Sequence, residues 1–480
     1  MVETQEVIES DHYELCSDTV SMKIENIKEI NQKLENISFR LTKPQWVDTA
    51  LNDLISITYN CSHETMMILF QSQAFSRFVD LISSDCSVKG LKVLVNLTKD
   101  NDITIELIKI GIINLIFQAI LSQFDQYIDI SLKILTNVVG STKIAQISVL
   151  CAGILTTAEK FYNQNPLIRF LTKFGQLIYF LFTKLKENTN NEDQIDKQKL
   201  EEIFSSIPDI DSSTALYTYE NGVDVFFTDH ILPILSKFCE SNYNEIIYFS
   251  LKAINLFLDN EEFCSAVAFN TNFLQNSISL LQREDLKLTQ IVTHLLNKIL
   301  FKLEADVYPY YKKYNIFEIT IQLLEMAEDK NICIQCCNII SNMIVYDLEL
   351  VERLTENQFL DNFIKNAIHS SKKVSTTAIW LVSNLTEQYP DLTVHFFVDK
   401  DFIEICNTIL QSDPSSDSLV ILKAITKLFT TAFLKDESSK TKFLELIDVS
   451  TIEDLTDIGL QIAEYAEQCL SFIKGDDENY

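Results

Sequence analysis

Apolar runs of about ten residues alternate with short polar breaks along most of this chain, and several of the runs share one outline. AFSRFVDLISSD, GIINLIFQAILSQ, HILPILSKFCES, NFLQNSISLLQRE, NIFEITIQLLEMAED, QFLDNFIKNAIHSS and DFIEICNTILQSD each read as an apolar helix ending at a polar break, with a second apolar helix following. Their first apolar residues are Phe75, Ile112, Ile231, Phe273, Ile316, Phe359 and Phe402, at steps of 37, 119, 42, 43, 43 and 43. Self-similarity at a fixed period is the mark of a repeat architecture. The long step leaves room for further, less regular units and an insertion.

The following helices carry a second signal. An asparagine recurs 21–26 residues after each anchor, at Asn96, Asn137, Asn255, Asn297, Asn342 and Asn384, with Asn60 as an earlier member. After Phe402 the slot falls near Lys427, where the series ends. A period of about 40–47 residues with two or three helices per unit is the armadillo/HEAT pattern. The predicted fold class is all-α, an armadillo-repeat right-handed superhelical solenoid of about nine or ten units over residues 41–474. One asparagine per unit at one phase would form a ladder whose amides can hold an extended peptide, each offering a donor and an acceptor. The alternative is that each amide serves the loop carbonyls of its own repeat. In AIWLVSNLT, Trp380 stands four residues before Asn384, so the two share a helix face.

Composition narrows the reading. Eight glycines and seven prolines in 480 residues are too few for the turns of a sheet protein. The net charge of −29 argues against nucleic acid or an anionic membrane as partner and favours basic segments of proteins. Eleven scattered cysteines, most within apolar runs, suit reduced thiols and an expected location in cytoplasm and nucleus. Residues 1–40 are an acidic, partly disordered lead, 187–222 an acidic and mostly mobile insertion, and 475–480 an acidic tail. The lead has no signal-peptide pattern, and the longest apolar runs fall short of a membrane span.

No reaction chemistry stands out. There is no phosphate-binding glycine loop, and the six histidines share no motif. Cys333, Cys336 and Cys337 have one CxxC spacing without a second pair nearby. The expectation is no enzyme, no cofactor and no metal.

The C-terminal repeats resemble importin-α, the armadillo adaptor that carries nuclear-localisation signals. SKKVSTTAIWLVSNLTEQ is similar to that family's third helix with Trp and Asn four apart, CCNIISNMIV to the same helix one repeat earlier, LVILKAITKLF to the next, and FLELIDVSTIEDLTDIGLQIAEYAEQCLSFI to the closing repeat. KGLKVLVNLTKDNDITIELIKIGIINLIFQAI follows the repeat outline more loosely. The resemblance places Trp380 and Asn384 in the eighth of ten repeats, Asn342 and Asn338 in the seventh and Asn297 in the sixth. It implies a concave peptide groove lined by Trp380, Asn384, Asn338, Asn342, Asn297, Asn255, Asn137 and Asn96. It also implies basic peptides as cargo and nuclear transport carriers as partners. A generic armadillo or HEAT scaffold of another pathway, cytoskeletal or chaperone-associated, is the alternative.

Departures from the family are visible. Lys92, Lys133, Thr293 and Asn338 stand four residues before Asn96, Asn137, Asn297 and Asn342, where the family places tryptophans. Residues 1–40 hold only Lys23, Lys28, Lys33 and Arg40 as bases, so the family's basic carrier-binding segment is not seen.

Overall fold

The structure, a computed structural model, describes residues 27–59, 61–84, 86–122, 124–164, 166–187, 197–224, 227–326, 329–355, 359–412 and 416–474. Among them every regular element is a helix and none is a strand. The chain forms two compact units, Met1–Ala145 with Ser206–Asp209, and Gln146–Ser205 with Ile210–Tyr480.

The last helix of each repeat sets the architecture. In the first unit these are α1 (Val47–Thr58), α2 (Val88–Leu97) and α3 (Asp125–Ser141), packed side by side in chain order. In the second they are α4 (Ile168–Glu187), α5 (Asn244–Asn255), α6 (Leu286–Leu303), α7 (Lys330–Ile344), α8 (Lys372–Gln388), α9 (Ser416–Thr430) and α10 (Leu460–Lys474), again each against the next. These ten third helices form the described inner layer of each unit. Asn96, Asn137, Asn255, Asn297, Asn342 and Asn384 all fall on them, while Asn60 lies outside the described residues. A helix flanked on two sides by its counterparts and covered on a third is apolar over most of its circumference. α6 accordingly buries Leu288, Val292, Leu295, Leu296, Ile299, Leu300 and Leu303. At about 1.5–3 kcal/mol for each such side chain, most of a repeat's stability lies in contacts with its neighbours.

Local signals explain where the helices start. Ser87, Asp100, Asn260, Asp285, Asp329, Asp399, Asp436 and Asp448 each accept hydrogen bonds from backbone N–H groups of the first turn. The carboxylates of the six aspartates also sit at the positive end of the helix dipole, so part of the acid excess is spent on starting helices. Gly111 and Gly153 adopt left-handed φ values of 86° and 89° between the first and second helices of their repeats. At Gly111 the chain turns by 81° between Asn101–Lys109 and Ile112–Leu121. Among the described residues no single helix is long and apolar enough to cross a membrane.

Three boundaries differ from expectation. Residues 27–40, assigned from sequence to the acidic lead, belong to the helix Ile27–Leu41, which buries Ile30, Leu34, Ile37 and Leu41 and packs on Gln73–Ser84. The stretch after residue 140 contains one regular repeat, with helices Ile154–Asn163 and Ile168–Glu187 following Gly153. Ile154 lies 42 residues after Ile112 and 77 before Ile231, one period plus an insertion of 35 residues. The expected mobile insertion holds two helices, Lys197–Ser206 and Ser212–Asn221, anchored by buried Leu200, Phe204 and Ala215. Residues 188–196 of the insertion, residues 1–26 of the lead and the tail 475–480 lie outside the described residues.

One close approach sets the fit of α4 against α5. A Cβ on Gly175 would lie 2.6 Å from Phe249 Cδ2 and 3.0 Å from its Cβ and Cγ, atoms too near the backbone to swing aside. Gly175→Leu should therefore destabilise the protein by about 1–3 kcal/mol, read as a lower midpoint in urea unfolding. An unchanged midpoint would mean that α4 and α5 do not meet at this glycine.

Ion pairs also bridge repeats. His63 Nδ1 lies 2.5 Å from Asp100 Oδ2, and that hydrogen bond and the adjacent negative charge raise the ring above its ordinary 6.5. A raised folded value means that the contribution is complete below the unfolded value and is lost as pH rises through the folded one. A His63 proton resonance should titrate above 6.5 and return toward that value in Asp100→Asn; no change on substitution would break the assignment.

Candidate binding face of the third-helix layer

Five of the ladder asparagines, Asn96, Asn137, Asn297, Asn342 and Asn384, do not stand free. Asn96 Nδ2 donates to Thr58 Oγ1 at 3.1 Å and Ile55 O at 3.4 Å, and Asn137 Nδ2 donates to Thr98 Oγ1 at 3.2 Å and Val95 O at 3.1 Å. Each threonine hydroxyl sends its own proton back one turn, to Leu54 O at 2.7 Å or Leu94 O at 2.9 Å, leaving a lone pair for the incoming amide. The same clasp thus joins α1 to α2 and α2 to α3. In the second unit Asn297 Nδ2 donates to Gln335 Oε1 at 2.9 Å, Asn342 Nδ2 to Asn297 Oδ1 at 3.5 Å, and Asn384 Nδ2 to Ser341 Oγ at 2.9 Å. Every bond crosses to a neighbouring repeat, so neither sequence alternative is complete: the amides serve adjacent repeats, not their own loops.

The clasp separates the predicted residues. Asn96 is buried and out of reach of a ligand, which removes it from the expected peptide contacts. Asn137, Asn297, Asn338, Asn342 and Asn384 are half-buried and keep an edge toward solvent. Asn255, also half-buried, turns its Oδ1 inward, where it lacks a hydrogen-bond partner. Trp380 is half-buried on the open side of α8, four residues before Asn384, so indole and carboxamide share one face as their spacing predicts.

The row expected to be aromatic is mostly basic. In the first unit it carries exposed Lys92 and Lys133. In the second unit it carries Lys252, His294, Asn338, Trp380 and Lys423, one from each of α5 to α9 and all half-buried. Thr293, the residue counted from sequence as filling the slot on α6, is buried and donates to Thr289 O at 2.8 Å; His294 takes the outward position instead. Burial, with the Lys298 charge beside it, lowers the His294 ring below its ordinary value, so it is neutral at neutral pH.

Sequence reading missed a third row, one turn beyond the ladder. Phe301, four after Asn297, is 66% exposed, and Val345, three after Asn342, is 52% exposed. Because α6, α7 and α8 pack in order and the asparagine bonds fix their register, these side chains, the ladder and the His294–Asn338–Trp380 row form a three-by-three grid. Glu387 completes it on α8; its carboxyl is raised by burial and lowered in turn by Lys423. The signal was available, since Phe301 and Val345 break the polar outward face, but only the packing shows that they are not core.

Some layer lysines have structural partners. Lys298 donates to Asn255 O at 3.4 Å and pairs with Asp259 at 2.8 Å, and Lys186 bonds Leu256 O, so two cations close the C-terminal end of α5. Cys336 and Cys337 are buried on α7 with thiols pushed up by burial, while Cys333, the first residue of the CxxC spacing, is half-buried. All ten described cysteines are free thiols. His63, Asp100 and Asp102 lie close enough to share an ion. The ring nitrogens point to opposite sides, however, and Asp100 already caps a helix, so the cluster reads as a salt link between repeats.

A purely ligand-binding role for Asn137 would leave stability untouched by its loss. The clasp instead predicts that Asn137→Ala costs about 1–2 kcal/mol, and that Asn137→Asp costs more because it sets an acceptor against Val95 O. Equal urea midpoints for the three proteins would refute the clasp.

Comparison with known proteins shows the fold and no more. No protein-family model and no curated protein matches the chain. The crystal structure of an engineered protein from the Northeast Structural Genomics Consortium is similar, at 15% identity and a TM-score of 0.53, over 92% of this chain and 99% of that one. A second engineered protein from the same consortium aligns with 50% of this chain and 97% of its own at 15% identity and a TM-score of 0.41. The chain has an all-α helical-repeat fold.

Proposed function

We propose that this scaffold binds an extended segment of another protein across α6, α7 and α8. The observation that carries the reading is the grid of exposed Phe301 and Val345, half-open Asn297, Asn342 and Asn384, and Trp380, held in register by bonds between repeats. Each clasped carboxamide is already fixed in orientation, so little further ordering is needed to accept a peptide N–H. The indole and the apolar pair supply area on either side of that polar row. The Trp380–Asn384 pair also favours the narrower reading of an importin-α-like adaptor for nuclear-localisation signals, in which Trp380 stacks on the stem of a Lys or Arg. Lys252 and Lys423 in the same row oppose a long basic peptide, so this reading rests on the Trp380 rung and on Glu387. Nothing in the site calls for catalysis, and the role is one of assembly in cytoplasm or nucleus.

Trp46 and Trp380 are the two tryptophans, so Trp46→Phe makes Trp380 the reporter of its own site. Short lysine-rich and short apolar peptides are titrated at low salt while the emission of Trp380 is followed. Binding should shift the emission, and Trp380→Ala, followed by peptide anisotropy, should weaken it about 3- to 30-fold, the scale of one cation–π or stacking contact. Preference for the lysine-rich peptide supports the nuclear-import reading. Binding of neither peptide, or binding indifferent to Trp380, overturns the proposal.

A further inference from the structure

The third helices carry a charge opposite to that of the chain. From α1 to α10 they hold 17 Lys and Arg against 10 Asp and Glu. The chain has 39 against 68, so everything outside this layer holds 22 against 58. A net of +7 is concentrated on the face-forming helices of a molecule whose net charge is −29.

In the second unit part of that charge is absorbed, with Lys186 and Lys298 closing the end of α5. The first unit differs. Its Arg40, Lys89 and Lys109 pair with Asp53, Asp48 and Glu106. Lys92 and Lys133 are exposed and pair with no carboxylate among the described residues. Each stands four residues before a clasped asparagine, on helices packed against each other, so both ammonium groups occupy one row. α2 holds no acid; of the two on α3, Asp125 lies at its start, and Asp129 stands one turn before Lys133 on the same face without an ion pair to it. Lys99, exposed on the next turn after Asn96, lies 5.5 Å over the Tyr59 ring. An acidic protein leaving these lysines without carboxylate partners keeps a local attractive field for anions.

We propose that the row of Lys92 and Lys133, with Lys99 beside it, holds an extended acidic segment of a partner protein. Neighbouring packed helices lie about 8–10 Å apart. A polyproline-II strand repeats every three residues and about 9.3 Å, so carboxylates at every third residue would meet one lysine per repeat. The half-open edge of Asn137 and the exposed Thr136 flank the path and can meet the segment's backbone. This surface lies in the first unit and does not depend on Trp380.

The test uses the full chain and a labelled nine-residue peptide with glutamate at every third position, read by fluorescence anisotropy. Binding is expected at about 50 mM salt and should fade toward 300 mM, with no binding by the glutamine counterpart. The double substitution Lys92→Glu and Lys133→Glu should weaken it at least tenfold; both side chains are exposed, so an unchanged circular dichroism spectrum and urea midpoint are expected. Trp380→Ala should leave it unchanged, which separates this proposal from that of the second unit. Absence of binding at low salt, or binding unaffected by the double substitution, overturns it. So does a single-stranded oligonucleotide that binds the same lysines more tightly than the peptide.

Discussion

Each repeat in this protein is held by the one beside it, and the contact that defines the relation is third helix against third helix. The apolar part is strong but unspecific in direction, since a Leu or Ile ridge can slide by one turn at modest cost. The asparagine clasp removes that freedom. An amide at 3.1–3.4 Å from a hydroxyl and a carbonyl of the adjacent repeat is satisfied at one register and stranded at the next. Register within each unit therefore rests on a few polar bonds laid over a continuous apolar layer.

The clasp also shapes what the surface can offer. A carboxamide locked to a neighbouring repeat has lost its rotational freedom before any ligand arrives, so a binding face on top of it comes preorganised. Where the clasp is buried, as at Asn96, stability takes all of the side chain. Where it remains half-open, as at Asn384, one group serves packing and still presents an edge. Structural and binding roles are thus points along one scale of burial.

Charge adds a second level of organisation. Acids cap helix starts and populate the outer helices, while lysines gather on the third helices. That distribution leaves the third-helix layer positive in a chain of net charge −29, the reverse of what a basic-peptide clamp wants. The total of −29 alone pointed to basic partners, because a sum discards position.

The chain by itself determined the helical repeat, its period, the placement of the second helices and the phase of the asparagines. These depend on local spacing and on turn residues such as Gly111. It did not reveal the repeat whose second helix begins at Ile154, because no asparagine marks its third helix and the insertion breaks the period. Tertiary structure decided which side of each third helix faces water. A shift of one residue turns a helix by 100°, so counting four back from Asn297 lands on buried Thr293 while the open position belongs to His294. It also decided that the ladder amides bond across repeats, since their partners lie 38–45 residues away and no local pattern encodes which of them will meet.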